Sequence, residues 1–322
     1  MGRITGKRLA LFIGALSLLV QAGSAHAFPV KPVRMLTGSV GSGSDLNARF
    51  IGPPLADRWG QPVVIENRPQ PVIHADIVAK ARPDGHSLLM GQFSSHASPP
   101  SLYKKLAYDP VKDFAAITMV SKAPLLLVAH PATPASNVRE FIADAKLRAG
   151  EILYAAQSGG SLGRLTMEFF AQKTGLRMLY VPYKSPALSL NALLAQEAQV
   201  SFLTLAASWA QVKAGRLKAY AITSEQRFSA YPEIPTVSES GVPGFESTVW
   251  FAVFGPAGMQ PALVKKINRD IVEVLKSPAI HAALMAQGAE AAPGTPEQLA
   301  SFVKGEIVKW AEIIRALGIK PE

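Results

Sequence analysis

Two stretches of this chain share one layout, and that layout restricts the fold more than anything else in it. The first is "RMLTGSVGSGSDLNARFIGPPLADRWGQPVVIE" (34–66) and the second is "EILYAAQSGGSLGRLTMEFFAQKTGLRMLYVPY" (151–183). Each runs strand, Gly/Ser-rich turn, helix, strand, and the two turns lie about 120 residues apart. Strand–helix–strand units build largely parallel sheets with helices packed on them. Two such units predict an α/β chain of two similar lobes. Each lobe presents a helix N-terminus on a Gly/Ser turn, and a cleft between the lobes follows naturally.

The rest of the chain keeps the alternation. Strands are expected at 32–38, 62–68, 86–91, 125–131, 151–156, 177–183, 199–205 and 218–223. Helices are expected at 44–60, broken or reset at Pro53-Pro54, and at 74–81, 137–148, 161–175 and 187–197. The tail, 261–317, reads as mostly helix, with Thr295, Pro296 and Glu297 forming a good helix start.

The first 27 residues read as a leader rather than as part of the fold. Arg3, Lys7 and Arg8 precede the apolar run "LALFIGALSLLV", and Ala25-His26-Ala27 is a small-x-small cleavage site before Phe28. No later apolar run reaches the ~18 residues a membrane helix needs. Without the leader, 30 basic and 23 acidic side chains remain, a net charge of +7 that is scattered along the chain. No aromatic stripe accompanies the basic pairs, so no nucleic-acid groove is expected. There is no cysteine, which excludes disulfides and thiolate chemistry. A chain that is 48% hydrophobic can supply a core without them.

A helix N-terminus leaves backbone N–H groups unpaired and carries about half a positive charge. Glycine lets an anion approach those groups, and serine adds a hydroxyl donor. The two turns therefore read as a two-jawed carboxylate or phosphate cradle that needs no Arg or Lys. Nucleotide motifs fail in detail. Gly43 is followed by Ser44-Asp45 where a Walker A loop needs lysine, and Leu46 stands where a G-x-G-x-x-G motif needs a small residue.

Gly159-Gly160-Ser161-Leu162-Gly163 is a literal G-x-S-x-G, the serine-hydrolase elbow. That fold needs an acid and then a histidine after the serine. The single later histidine, His281, sits in a helix-like segment. His74, His86, His96 and His130 are spread over different segments without ligand spacing, so no metal and no cofactor is expected.

The blocks "KPVRMLTGSVGSGSDLNAR", "GQPVVIENRP", "DGHSLLMG", "PSLYKKLAYDPVKDFAAIT", "VPYK", "IPTVSESGVPGFES" and "WFAVFGPAG" resemble one family across the mature chain. They are similar to the Bug-type receptors, the periplasmic solute-binding receptors of tripartite tricarboxylate transporters. The resemblance implies a two-lobed, type II Venus-flytrap α/β fold, with lobe 1 at 28–126 plus 251–322 and lobe 2 at 127–250. It implies strands crossing between the lobes near "LLLVAH" and "WFAVFG". It also implies a small organic carboxylate held in the cleft by backbone N–H groups, hydroxyls and water, with delivery by a monomeric receptor to membrane permease subunits.

Carried over position by position, the lobe 1 contacts are the turn Gly38, Ser39, Gly41, Ser42, Gly43 and Ser44, with Ser94, Ser95 and His96. The lobe 2 contacts are Ser158, Gly159, Gly160 and Ser161, then Tyr183, Ser185 and Thr204.

Several positions depart from the family pattern. Gly38 stands where an aromatic residue is usual, Val40 where Pro is usual, and Leu203 where an Asp is common. Gln70 to His74 replace a Gly-rich stretch, which removes backbone donors. Leu162 and Gly163 replace small hydroxyl residues, and Arg164 follows them. These departures predict a pocket wall opened at Gly38 and a ligand that is not an amino acid and is bulkier or more apolar than a small dicarboxylate; Arg164, one turn into the helix, either supplies a direct charge contact or points to solvent. Two other functions remain open: a sensor that presents its ligand to a signalling ectodomain, and an esterase using Ser161.

Overall fold

The computed structural model describes residues 28–157 and 160–321. The expected leader, 1–27, and Ser158-Gly159 lie outside the described residues. In chain order the first elements are β1 (Val33–Thr37), α1 (Gly43–Trp59), β2 (Val63–Asn67), α2 (Pro71–Ala79), β3 (Ser87–Gln92), α3 (Phe93–His96), α4 (Pro99–Leu102) and β4 (Phe114–Ala129). Then come α5 (Val138–Leu147), β5 (Leu153–Gln157), α6 (Leu162–Thr174), β6 (Leu179–Tyr183), α7 (Pro186–Leu194), β7 (Val200–Thr204), α8 (Leu205–Lys213) and β8 (Lys218–Ile222). The chain ends with β9 (Thr248–Pro256), α9 (Pro261–Leu275), α10 (Pro278–Ala286), β10 (Glu290–Ala291) and α11 (Pro296–Ala316).

Both copies of the repeated layout form the unit the sequence predicts. β1 pairs in parallel with β2, Val33 opposite Val63, with α1 as the connection. β5 pairs in parallel with β6, Leu153 opposite Leu179, with α6 as the connection. Val33, Met35 and Leu36 are all fully buried, as expected for a strand covered on both faces.

β4 joins the two units. The strand order is β2-β1-β3-β9-β4-β7-β5-β6, with β8 and β10 also paired on β4. From Phe114 to Pro124, β4 runs antiparallel to β9, and from Leu125 to Ala129 it runs antiparallel to β7 and β8. The change of partner falls at Pro124, which has no N–H to give a ladder. Thr223 and Ser247 stitch the crossing. Leu125 N donates to Thr223 Oγ1 at 2.8 Å, Thr223 N donates to Leu125 O at 2.9 Å, and Ser247 N donates to Thr223 O at 2.9 Å. The result is a two-lobed α/β fold with one long strand shared by both halves of the sheet.

Three local expectations are corrected. β4 begins at Phe114 rather than at 125, because Ser121, Lys122 and Pro124 interrupt the apolar pattern that marks a strand. The sequence 205–213 is a helix that the strand ending at Leu205 had partly absorbed. Pro53-Pro54 do not break α1, which runs unbroken from Gly43 to Trp59. An internal proline costs roughly 3 kcal/mol in a helix. Here Ile51, Leu55 and Trp59 pack into the core on either side of the pair. Beyond it, Asp270 on α9 accepts from Arg58 Nε at 3.0 Å, Trp59 Nε1 at 2.9 Å and Lys266 Nζ at 2.7 Å.

His96 lies inside lobe 1 with no exposed surface, stacked on Phe254 with ring centroids 4.0 Å apart and tilted against Phe114. Burial, reinforced by nearby His74, pushes its pKa down to about 3.

Two outcomes follow from these contacts. Asp270→Ala leaves the indole N–H of Trp59 without its acceptor, whereas Arg58 and Lys266 still reach water. The loss is expected to be about 2 kcal/mol in urea unfolding. For His96, the unfolded chain takes a proton near pH 6.5 that the folded chain refuses down to about pH 3. Its contribution to stability is complete above pH ~6.5 and falls as the pH drops through that window. Between pH 7 and pH 5 this amounts to about 2 kcal/mol, which His96→Phe should remove from the pH dependence. An unchanged dependence in that variant would place the histidine outside the core.

Candidate functional site

The carboxyl ends of β1, β3, β5 and β6 lead into helices around one cleft of about 890 Å³. Open α/β sheets bind ligands at such strand ends. Four helices here start on a hydroxyl N-cap. Ser42 accepts from Asp45 N at 3.3 Å, Ser161 from Arg164 N at 3.4 Å, Ser185 from Leu188 N at 3.3 Å and Thr204 from Ala207 N at 3.3 Å. Ser42, Ser161 and Ser185 line the cleft, and Thr204 does not. The N–H groups of Gly43, Ser44, Leu162 and Gly163 take no acceptor among the described residues. α7 offers one donor fewer, because Pro186 fills its first position.

Lobe 1 builds its jaw from 38–44. Ser39, Gly41, Ser42 and Gly43 face the cleft, whereas Gly38 and Ser44 lie behind it. Gly38 N donates to Ser44 Oγ at 3.2 Å. A β-carbon on Gly38 would meet Ser44 Oγ at 2.8 Å and Ser42 Oγ at 3.1 Å. The wall expected to open at Gly38 is therefore filled by the turn's own hydroxyls.

Behind this turn sits Asp45, 1% exposed. Its carboxylate accepts from Gly41 N at 2.9 Å, Asn67 Nδ2 at 2.7 Å and Arg49 Nε at 2.9 Å. Burial raises its pKa, but the hydrogen bonds from Arg49, Asn67 and Gly41 outweigh it and hold the group below the usual range. The positive end of α1 thus already carries an anion supplied by the chain. An acid in the first turn of a helix was the available signal for it.

Of Ser94, Ser95 and His96, the cleft receives Ser94 alone, whose Oγ accepts from Gln92 Nε2 at 3.0 Å. Successive residues on a helix point about 100° apart, so three in a row cannot share a face. Ser95 is buried, with Oγ donating to Gln92 O and accepting from Gln92 N, each at 2.9 Å. His96 Nδ1 is 2.9 Å from Ser95 Oγ, and its ring is in the core. Both are corrected from ligand contacts to supports of α3.

In lobe 2, Gly160 and Ser161 line the cleft, while Ser158 and Gly159 lie outside the described residues. Ser161 Oγ donates to Gln157 O at 2.7 Å. No histidine or carboxylate lines the cleft among the described residues. Arg164 is not on the lining. Its guanidinium lies over the Tyr180 ring, 4.5 Å from the centroid. Tyr183 is also off the lining, with its hydroxyl donating to Glu197 at 2.9 Å. Leu162 faces the cleft. Gly163 does not, and a β-carbon there would lie 3.0 Å from Phe202 O, so glycine is what lets α6 sit on β7.

Other walls had no local signal. Pro69 contributes, as do Pro71 and Val72 from the altered 70–74 segment, which now starts α2. Val249 and Trp250 come from β9, and Trp250 is anchored by Glu306, which also accepts from Trp310 at 3.0 Å. Leu102 reaches over to lobe 2, so close to Gly160 that a β-carbon there would meet its Cδ1 at 2.0 Å. Among the described residues, no group of three or more His, Asp or Glu is placed to hold a metal, and no helix is long and apolar enough to cross a membrane.

Residues 47–319 match the family model described as tripartite tricarboxylate transporter family receptor. The chain is 35% identical over 301 residues to Protein BugT of Bordetella pertussis, covering 92% of each. It is similar to the R. palustris protein Rpa4515 solved with adipate, with a TM-score of 0.80 and 31% identity over 92% of this chain and 100% of that one. It also matches the periplasmic binding protein BugD, with a TM-score of 0.75 and 30% identity over 92% of this chain and 100% of that one. MatC of Rhodopseudomonas palustris, solved with malate, gives a TM-score of 0.75 at 28% identity over 89% of this chain and 100% of that one. Fold, cleft and sequence agree: the chain belongs to the tripartite tricarboxylate transporter receptor family, the Bug-type periplasmic solute-binding receptors.

Proposed function

We propose that this protein captures a small organic carboxylate between its lobes and delivers it to the membrane permease subunits of a tripartite tricarboxylate-type transporter. The observation that carries this reading is a cleft ringed by the N-termini of α1, α6 and α7 and lined, among the described residues, by no charged side chain. Such a site holds an anion through backbone N–H groups and hydroxyls. Adipate and malate in related structures support a carboxylate ligand.

Lobe 1 is then 28–126 with 251–322, and lobe 2 is 127–250. The partner change of β4 at Pro124 and the start of β9 at Thr248 support boundaries close to these. The ligand binds the closed arrangement of the lobes more tightly than the open one, and that difference in affinity drives closure. The protein is not an enzyme in this reading. Ser161 acts as a helix cap, bonded to a carbonyl. The leader directs export to the periplasm and is cleaved before Phe28.

Intact-mass measurement of protein from the periplasm should show a chain beginning at Phe28. Mass spectrometry of the small molecule released from it should show a carboxylate. Added at 100 times its Kd, that compound should raise stability by about 2.7 kcal/mol. Ester turnover abolished by Ser161→Ala would overturn the reading.

A further inference from the structure

The two halves of the cleft are not electrostatically alike. α1 carries Asp45 in its first turn, buried directly behind Gly41, whereas the first turns of α6 and α7 hold no acid. The positive end of α1 is therefore already compensated, and the ends of α6 and α7 are not. Both halves bring apolar side chains to the wall, with Leu162 and Pro186 from lobe 2. Val40, Val72, Phe93 and Leu102 come from lobe 1, and Val40 stands 75% exposed at the tip of its turn. Val249 and Trp250 continue this apolar surface along β9. Among the described residues, no Lys or Arg lines the cleft to balance a second carboxylate, and no Asp or Glu lines it to pair with an ammonium group.

We propose that the ligand is an organic monoanion: one carboxylate, received by the lobe 2 half at Ser161 and Ser185, on an apolar body that lies against Val40, Val72, Phe93 and Leu102. The inference rests on the carboxylate-receptor reading and narrows it. A second carboxylate directed at lobe 1 would be desolvated against apolar walls at a helix end where Asp45 already sits. An ammonium group would be buried without a partner for the same reason. An aliphatic chain or a ring meets neither penalty and gains from covering apolar surface.

Hexanoate and adipate share a six-carbon chain and differ by one carboxylate, so calorimetry on the mature protein with the pair is a direct test. Hexanoate or phenylacetate should bind at least about ten-fold more tightly than adipate or malate, and glutamate should give no heat. Val40→Lys places a cation on the exposed tip of the apolar wall and should improve adipate binding about ten-fold without improving hexanoate. Ser161→Asp keeps a good N-cap but puts a negative charge at the lobe 2 jaw, and should weaken hexanoate by about a hundred-fold. Adipate, malate or glutamate binding more tightly than the monocarboxylates overturns the ligand class and leaves the receptor reading standing. Unchanged hexanoate affinity in the Ser161→Asp variant overturns the assigned orientation. Failure of every carboxylate to bind overturns both readings.

Discussion

The sixteen residues of β4 are the constraint on which the remaining architecture rests. One strand serves two halves of the sheet, with β9 as partner up to Pro124 and β7 and β8 from Leu125 onward. A proline at the change removes the N–H that would have bound one neighbour to the other side. Thr223 then supplies the missing acceptor to Leu125 N and ties in Ser247. Through this shared strand the carboxyl ends of β1 and β3 are brought to the same cleft as those of β5 and β6. The cleft is thus a consequence of how the two parallel units are mounted, and neither unit contains it alone.

Its chemistry is economical in side chains. Ser42, Ser161 and Ser185 are occupied as helix caps, each hydroxyl accepting from a backbone N–H three residues on. Backbone N–H groups at the first turns of α1 and α6 take no acceptor among the described residues. Backbone donors bind an anion without the deep desolvation cost of a buried arginine or lysine. They suit a receptor that must also let go. The buried Asp45 makes the two jaws unequal.

Much of the local structure was legible. β1–α1–β2 and β5–α6–β6 were visible as a repeated pattern because parallel strands buried on both faces leave continuous apolar runs. The caps at Ser42, Ser161, Ser185 and Thr295 follow from hydroxyl residues just before helical stretches. Residues picked by type reach the wall at Ser39, Gly41, Ser42, Gly43, Gly160 and Ser161 in the two turns, and at Ser94 and Ser185. His96, Arg164, Tyr183 and Gly38 looked equally suitable by type. Packing sent His96 to Phe254, Arg164 to Tyr180 and Tyr183 to Glu197, and closed Gly38 with two serine hydroxyls.

By itself, the sequence determined the α/β class, the doubled strand–turn–helix–strand unit and the placement of helix N-termini on Gly/Ser turns. Those properties depend on neighbours within a few residues, where periodicity and capping chemistry act. The tertiary structure alone decided that Pro53-Pro54 stay within one helix, that Leu102 reaches Gly160, that Trp250 and Val249 line the cleft, and that Asp45 fills one jaw from behind. These depend on groups brought together from distant parts of the chain. Burial and hydrogen bonding between them outweigh local preference, and no pattern of adjacent residues encodes where such a side chain will point.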